Sequence, residues 1–172
     1  MSYSATQVGL QIFAPYVQAI SQRSQADLKN IYEENRHRIY SLAFWMTDNE
    51  ITAEEVSARV FCRAFASQGK LNVEAIDKYL ISELRELAPV GILSLENEVA
   101  ATKSVSGNTK RIHLERAVVQ IPATERLAFL LHDVEGYGHD AIAKTLGITE
   151  DESKQAVFQA RLLVRELVAD MI

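Results

Sequence analysis

"AIAKTLGITEDESKQAVFQAR", residues 141–161, has the pattern of two helices joined by a tight turn. Ala143 is small where the two helices would cross closely, and Gly147, four residues later, suits a turn that needs positive φ. Ile148 follows at the position that would fill the angle between the helices. Together these residues predict a helix-turn-helix, a unit that many proteins use to read DNA, although an ordinary αα-corner has a similar pattern.

The second helix of this unit would begin with three acids, Glu150, Asp151 and Glu152. Thr149 followed by Glu152 predicts a capping box, and carboxylates near a helix N-terminus are favoured by the helix dipole. The same carboxylates repel phosphate, so folding and DNA binding compete at this turn. The conflict extends beyond the turn, because residues 125–172 hold 5 Lys/Arg against 9 Asp/Glu.

Helical periodicity extends over nearly all of the 172 residues, and helix-breaking residues are few, with seven Gly and three Pro. The pattern predicts an all-α protein of two small helical domains joined by a linker. We place the linker over residues 91–112, within which Ser, Thr, Asn and Gly cluster at 102–109. The predicted segments are a helical N-terminal extension over 1–25, a first domain over 26–90, a linker over 91–112 and a helix-turn-helix domain over 113–172.

Several residues are expected to begin or end these helices. Asp27 is a candidate N-cap for the helix that runs to Met46, and Thr52 with Glu55 predicts a capping box for the next one. In the second domain, Thr124 is expected to cap a helix that Gly136 ends.

The sequence has no pattern that indicates an enzyme, a metal site or a cofactor site. The four histidines, His37, His113, His132 and His139, share no spacing, and we expect the last two at the surface or at helix caps. The single cysteine, Cys62, fits a reducing compartment. The chain starts without a basic leader, and no apolar run approaches the roughly 20 residues that span a bilayer. We therefore expect a cytoplasmic protein with no membrane partner.

Two stretches together resemble the bacterial RNA polymerase sigma factors of the extracytoplasmic-function (ECF) type. Residues 31–66 are similar to the family's second conserved region, which leads from Ala-Glu-Glu to Val-Phe-x-Arg-Ala-Phe. Residues 121–167 are similar to its fourth conserved region, with a Pro and Glu-Arg, then Glu-Gly, Ile-Ala and Leu-Gly-Ile before a long last helix. The two stretches cover about 80 residues in the family's order.

The resemblance implies partners and site residues, and it implies no chemistry by the protein itself. The first domain would bind core RNA polymerase and help melt the minus-ten promoter element, the last helix would read the minus-thirty-five element, and the linker would thread toward the polymerase active-site channel. The implied polymerase-binding residues are Glu54, Glu55, Ala58, Arg59 and Arg63. The implied DNA-binding residues are Lys78 and Tyr79 in the first domain, and Lys154, Gln155, Phe158, Gln159, Arg161 and Arg165 in the last helix.

This sequence also departs from the family pattern. Ala58 and Arg59 stand where the family usually has a Gln and an acid, and Ala156 and Gln159 stand where the last helix usually has cations. We therefore expect promoter DNA to be bound weakly by the protein alone, with polymerase supplying the affinity. If the lost cations matter, arginine at 156 and 159 should raise DNA affinity.

Two other interpretations stay open. In the first, the protein is a degenerate sigma-like protein without promoter binding, which acts as an interaction module or as a decoy for an anti-sigma protein. In the second, it is an unrelated helical bundle. A basic stripe along Lys154, Arg161 and Arg165 would favour promoter reading, and an acidic face there would favour a protein partner.

Overall fold

Every regular element in the described part of the chain is helical, which confirms the all-α class. The structure is a computed structural model that describes residue 20 and residues 23–89, 91–95, 103–105 and 107–172. The predicted helical extension over 1–25 lies almost wholly outside the described residues. The helices are α1 Gln25–Thr47, α2 Glu50–Ala66, α3 Val73–Arg85, α4 Arg111–Val118, α5 Ala123–Phe129 with a π-helical turn over Leu130–Val134, α6 His139–Leu146 and α7 Glu150–Asp170. Among the described helices, none combines the length and the apolar character that crossing a membrane requires.

The described residues form two compact units, each with its own core. The first unit holds the described residues up to Ala43 together with Ile51–Glu83, and the second holds Phe44–Glu50 together with Leu84–Ile172. Residues 44–50 and 84–95 therefore group with the helix-turn-helix. The domain bounds 26–90 and 113–172 stay a prediction.

Apolar side chains at helical spacing build the core of the first unit. They come from the three helices described above for this unit: Ile39, Leu42 and Ala43 of α1, Ala53, Val56, Val60, Phe61 and Ala64 of α2, and Ile76 and Leu80 of α3. Arg23, which precedes α1, donates to the carbonyl oxygens of Phe65 (2.8 Å) and Gly69 (2.9 Å) and also to that of Ser67. These bonds satisfy the carbonyl of Phe65 in the last turn of α2 and two carbonyls of the loop that follows it.

Three of the predicted helix starts are wrong, namely those at Asp27, Thr52 and Thr124. Because α1 begins at Gln25, Asp27 lies in its first turn and not at its cap. Helix α2 begins at Glu50, so Thr52 and Glu55 lie inside the helix and not in a capping box at its start. The break between α1 and α2 is only two residues long, because Asp48 takes φ 50°, a left-handed conformation that aspartate tolerates.

The core of the second unit lies between α5, α6 and α7, with α4 also packed on α7. Its fully buried side chains include Ile121, Leu127, Leu130, Ile142, Leu146, Val157 and Ala160. Helix α5 begins after Pro122, so Thr124 is not its cap, and its hydroxyl donates instead to the Pro89 carbonyl oxygen at 2.8 Å. Gly136, with φ 75°, follows the π-helical turn and confirms the predicted stop.

The described residues of the predicted linker are anchored on the second unit. The Gly91 amide donates to the Leu146 carbonyl oxygen at 3.0 Å, and the amides of Ser94 and Leu95 both donate to Oε1 of Glu125, with Leu95 at 2.7 Å. Farther along, the Lys103 amide donates to the Glu166 carboxylate at 3.1 Å. Glu125 is only 1% exposed, and the two amides satisfy its Oε1, whereas its buried Oε2 has no hydrogen-bond partner among the described residues.

Candidate nucleic-acid interface

The predicted helix-turn-helix is formed by α6, a short turn and α7. Gly147 ends α6 in a left-handed conformation, with φ 68° and ψ 33°, and its amide donates to the Ala143 carbonyl oxygen. The Ile148 amide bonds to the same oxygen at 3.1 Å. Ala143 is 8% exposed, as expected for a small residue where α6 and α7 pack together. The turn is therefore confirmed where the sequence placed it.

The capping box at the start of α7 is also confirmed. The Thr149 amide donates to Oε2 of Glu152 at 2.7 Å, and the Glu152 amide donates to Oγ1 of Thr149 at 3.1 Å. The bond from the Thr149 backbone lowers the pKa of the Glu152 carboxyl, which therefore stays ionised at neutral pH. At least one acid of the first turn thus has a role in folding.

Replacing Thr149 with alanine is expected to lower the free energy of unfolding by about 1 kcal/mol, because α7 loses one half of its capping box. Chemical denaturation measures this loss. Ser104→Ala, at an exposed position of the same unit, is the matched control and should change stability by less than about 0.5 kcal/mol. Equal effects of the two substitutions would show that the box does not stabilise α7.

One face of α7 is exposed over three turns. Lys154, Phe158, Arg161 and Arg165 recur at spacings of three and four residues and are all exposed, with Phe158 at 57%. We call these four residues the exposed stripe. Gln155 lies beside it and is half-buried. This helix face carries three cations, and the major groove of DNA is wide enough to admit an α-helix.

Gln159 does not belong to the exposed stripe. It is 5% exposed and lies among the buried residues of α7, next to Ala160 (0%) and one turn from Ala156 (2%). Its side chain therefore lies in the packed face of α7, and its role as a DNA contact stays a prediction that this burial disfavours. The same burial shows that arginine at 156 and 159 would face the protein interior.

Two cations of the exposed stripe already have carboxylate partners in the protein. Lys154 Nζ lies 3.1 Å from Oε1 of Glu150 and 3.3 Å from Oδ1 of Asp151. Arg161 makes two bonds to Asp133, at 2.8 Å from Nε and 2.5 Å from Nη2. These hydrogen bonds raise the pKa of both cations. The three cations of the exposed stripe lie on one face of α7, but two of them are paired with carboxylates of the protein.

His132 and His139 stack beside this stripe, with ring centroids 4.3 Å apart. Nδ1 of His132 lies 2.9 Å from the Tyr137 carbonyl oxygen, and Nδ1 of His139 lies 3.1 Å from Oγ of the fully buried Ser153. Burial, followed by the neighbouring His132, lowers the pKa of His139. The pair thus braces the start of α6 against α7. Over the described residues, no group of three or more His, Cys, Asp or Glu side chains is placed to hold a metal ion.

In the first unit, the predicted polymerase contacts divide into two groups along α2. Glu54 and Glu55 are exposed and Ala58 is half-buried. Glu54 and Ala58 border a groove of about 480 Å³. Four aromatic side chains of α1 and α2 line this groove among polar neighbours such as Arg36 and His37, namely Tyr32, Tyr40, Phe61 and Phe65. This groove was not predicted from the sequence, although Tyr32 and Phe61 each fit the helical spacing of the apolar residues in α1 and in α2.

Arg59 and Arg63 form the second group, and both bind the same buried acid. They bind opposite oxygens of Glu83 at 2.8 and 2.7 Å, and Glu83 is 7% exposed. The Arg63 guanidinium also lies 5.0 Å from the ring centroid of Tyr79, and Lys78 Nζ lies 5.7 Å from it. The fold therefore brings predicted polymerase and DNA residues into one basic cluster around an aromatic ring. Neither Glu83 nor Asp133 was predicted, because no local pattern relates an acid to a partner 20 or more residues away.

Comparison with known proteins identifies the segment that contains the helix-turn-helix. Residues 111–164, which cover α4 to most of α7, match the family described as Sigma-70, region 4. Over 155 residues the chain is 21% identical to the ECF RNA polymerase sigma factor SigE of Mycolicibacterium smegmatis. The alignment covers 81% of this chain and 60% of that relative, so the chain spans less than two thirds of the relative's length.

Proposed function

From the premise that this chain is a divergent relative of the ECF sigma factors with a region 4 segment over residues 111–164, we propose that it directs transcription initiation. In this proposal it binds core RNA polymerase and promoter DNA and catalyses no reaction itself, and it works in the cytoplasm. The observation that carries the proposal is the exposed stripe of α7, which follows the helix-turn-helix corner and of which Lys154, Phe158 and Arg161 lie within the matched segment.

The exposed stripe supplies the side-chain chemistry that duplex reading needs. Lys154, Arg161 and Arg165 are suited to phosphates, and an arginine fork also fits the O6 and N7 atoms of guanine. Gln155 offers an amide that pairs with adenine, and Phe158 offers an apolar surface for a thymine methyl group. Lys78 and Tyr79 would contact the minus-ten element, where an aromatic ring can stack on an unpaired base.

Affinity for DNA alone is expected to be weak, because Lys154 and Arg161 are held by the protein's own carboxylates. Core polymerase would supply the missing affinity by holding the exposed stripe close to the promoter, which converts DNA binding into an intramolecular step. The aromatic groove between α1 and α2, bordered by Glu54 and Ala58, supports the first unit as the surface that docks on polymerase.

Reconstituted transcription with purified core polymerase tests the proposal. We expect the full chain to start transcripts at specific promoters, selected from a library of upstream DNA sequences. The double substitution Lys154→Ala, Arg161→Ala should reduce this transcription at least about tenfold, since a lost base-edge contact costs on the order of 1–3 kcal/mol. Lys70→Ala, Arg116→Ala removes the same charge at exposed positions and should retain most of the activity.

The neutralised stripe also favours a second candidate function, a sigma-like protein that no longer reads promoters and acts as a decoy for an anti-sigma protein. The two candidates differ in one measurement, because a decoy forms no stable complex with core polymerase and starts no transcripts. A stable complex that depends on Glu54 and Glu55 would exclude the decoy. Unchanged transcription by the Lys154→Ala, Arg161→Ala variant would show that α7 is not the DNA reader.

A further inference from the structure

We propose that Asp133 is an intramolecular competitor of DNA for Arg161. In the free protein, Arg161 of the exposed stripe is held on the protein's own carboxylate, and DNA competes with that carboxylate for the Nε and Nη2 donors. This inference rests on the proposed function of α7 as the DNA reader, and it assigns a role in DNA affinity to a residue outside that helix.

The geometry of the pair is that of a substitute ligand. Asp133 lies in the π-helical turn Leu130–Val134, and both of its oxygens face the guanidinium, at 2.8 and 2.5 Å from Nε and Nη2. Two parallel bonds from an arginine fork are also what a phosphate or the guanine O6 and N7 edge accepts. Asp133 therefore occupies the Nε and Nη2 edge of the guanidinium, which is one of the edges that could bind DNA, and its charge opposes a phosphate beside the remaining donors.

The exposure of the pair fits exchange with a ligand. The Arg161 side chain is 53% exposed and that of Asp133 is 21% exposed, so a duplex can reach the guanidinium while the carboxylate approaches it from the protein side. The pair is not needed to fix the position of α7, because Val157 and Ala160 bury the opposite face of the helix. An exposed ion pair of this kind adds little to stability, so its effect on a competing anion outweighs its effect on folding.

Competition has a distinct consequence for salt dependence. A free cation that binds a phosphate displaces counterions from the DNA and adds about 0.9 to the magnitude of the log–log slope of affinity against salt. An arginine that leaves a carboxylate for a phosphate exposes that carboxylate again, and the released Asp133 repels the duplex. Arg161 should therefore contribute less affinity and a flatter slope than a free arginine would.

The test is the affinity of the full-length protein for a labelled DNA duplex between about 50 and 200 mM salt, measured by fluorescence anisotropy. The duplex is an upstream sequence selected with the holoenzyme. Asp133→Asn keeps the size of the side chain and removes its charge. We expect it to raise affinity about fivefold at the lowest salt, which is the upper range for an exposed ion pair, and to steepen the slope by about 0.9.

Two further variants isolate the pair from bulk charge. In Asp133→Asn, Arg161→Ala the gain should disappear, so that this double variant binds like Arg161→Ala alone. Glu86→Gln changes the net charge by the same amount at an exposed position of the same unit, and it should change affinity less than twofold. An unchanged midpoint of thermal unfolding for Asp133→Asn supports the effect as one on binding.

Failure of this inference differs from failure of the proposed function. If Arg161→Ala lowers affinity but Asp133→Asn leaves it unchanged or lowers it, Asp133 is not a competitor and α7 is still the reader. A gain that persists without Arg161, or that Glu86→Gln reproduces, overturns the inference as well. If neither Arg161→Ala nor Asp133→Asn alters binding or holoenzyme transcription, α7 does not read DNA and both proposals fail.

Discussion

Replacing Arg126 with alanine is expected to lower the free energy of unfolding of the second unit by about 3–4 kcal/mol. The guanidinium donates to the carbonyl oxygens of Ile121 (2.9 Å), Met46 (2.9 Å) and Trp45 (3.1 Å), and also to that of Val119. Each hydrogen bond to a charged group contributes about 1.5–3 kcal/mol, and the carbonyls that lose their donor are only partly reached by water. Burial lowers the pKa of Arg126, as expected for a cation that is partly removed from water.

Chemical denaturation followed by the fluorescence of Trp45, the single tryptophan of the chain, measures this loss directly. Arg116→Ala is the matched control, because it removes an exposed arginine of the same unit and should change stability by less than about 0.5 kcal/mol. Arg126→Lys should lie closer to alanine than to arginine, since an ammonium cannot span four carbonyls as a planar fork does. A loss no larger than that of Arg116→Ala would contradict the role of Arg126.

Arg126 and its two neighbours show what the sequence could not predict in this fold. Thr124, Glu125 and Arg126 are consecutive, yet they bond to backbone atoms 35, about 30 and about 80 residues away. Backbone donors and acceptors look alike at every position, so no residue pattern marks the partner segments. The Pro and Glu-Arg of this stretch were visible as part of a family resemblance, but their physical role emerges only from the fold.

Several local interactions, in contrast, were predicted correctly. The left-handed Gly147, the Thr149–Glu152 capping box and the stop at Gly136 each depend on residues within one or two turns. The wrong helix starts at Asp27 and Thr52 have a local cause too, because acids and hydroxyls favour the cap and the first turn alike. A short break such as the one at Asp48 shifts a helix start without leaving a clear sequence signal.

The candidate interface also has one part that the sequence predicts and another that depends on tertiary packing. The helical spacing of Lys154, Phe158, Arg161 and Arg165 follows from the sequence alone once α7 is assigned, and the structure exposes all four. Which remaining face of α7 is buried depends on how α5 and α6 pack against it, and that is tertiary information. The alignment of Gln159 with an expected cation ignored this packing, and so did the expectation for Ala156.

The double substitution Ala156→Arg, Gln159→Arg tests whether these two positions of α7 face DNA, as the family pattern implies, or the core, as in the structure. We expect its effect to be large. Read from the family pattern, it restores two cations and should tighten DNA binding. In the structure the two side chains are 2% and 5% exposed, so each arginine would have to bury a charge or displace α7 from the core. We therefore expect the second unit to lose at least about 3 kcal/mol, which is enough to unfold a marginally stable domain.

Gln155→Arg is the matched control for this double substitution. It adds a cation one residue away, on the half-buried side of the exposed stripe, and should leave thermal unfolding nearly unchanged while it raises DNA affinity. A folded Ala156→Arg, Gln159→Arg variant that binds DNA more tightly than the unchanged protein would mean that α7 is rotated about its axis relative to the packing described here. The exposed stripe would then be a different set of residues, and the roles given to Arg161 and Asp133 would have to be reassigned with it.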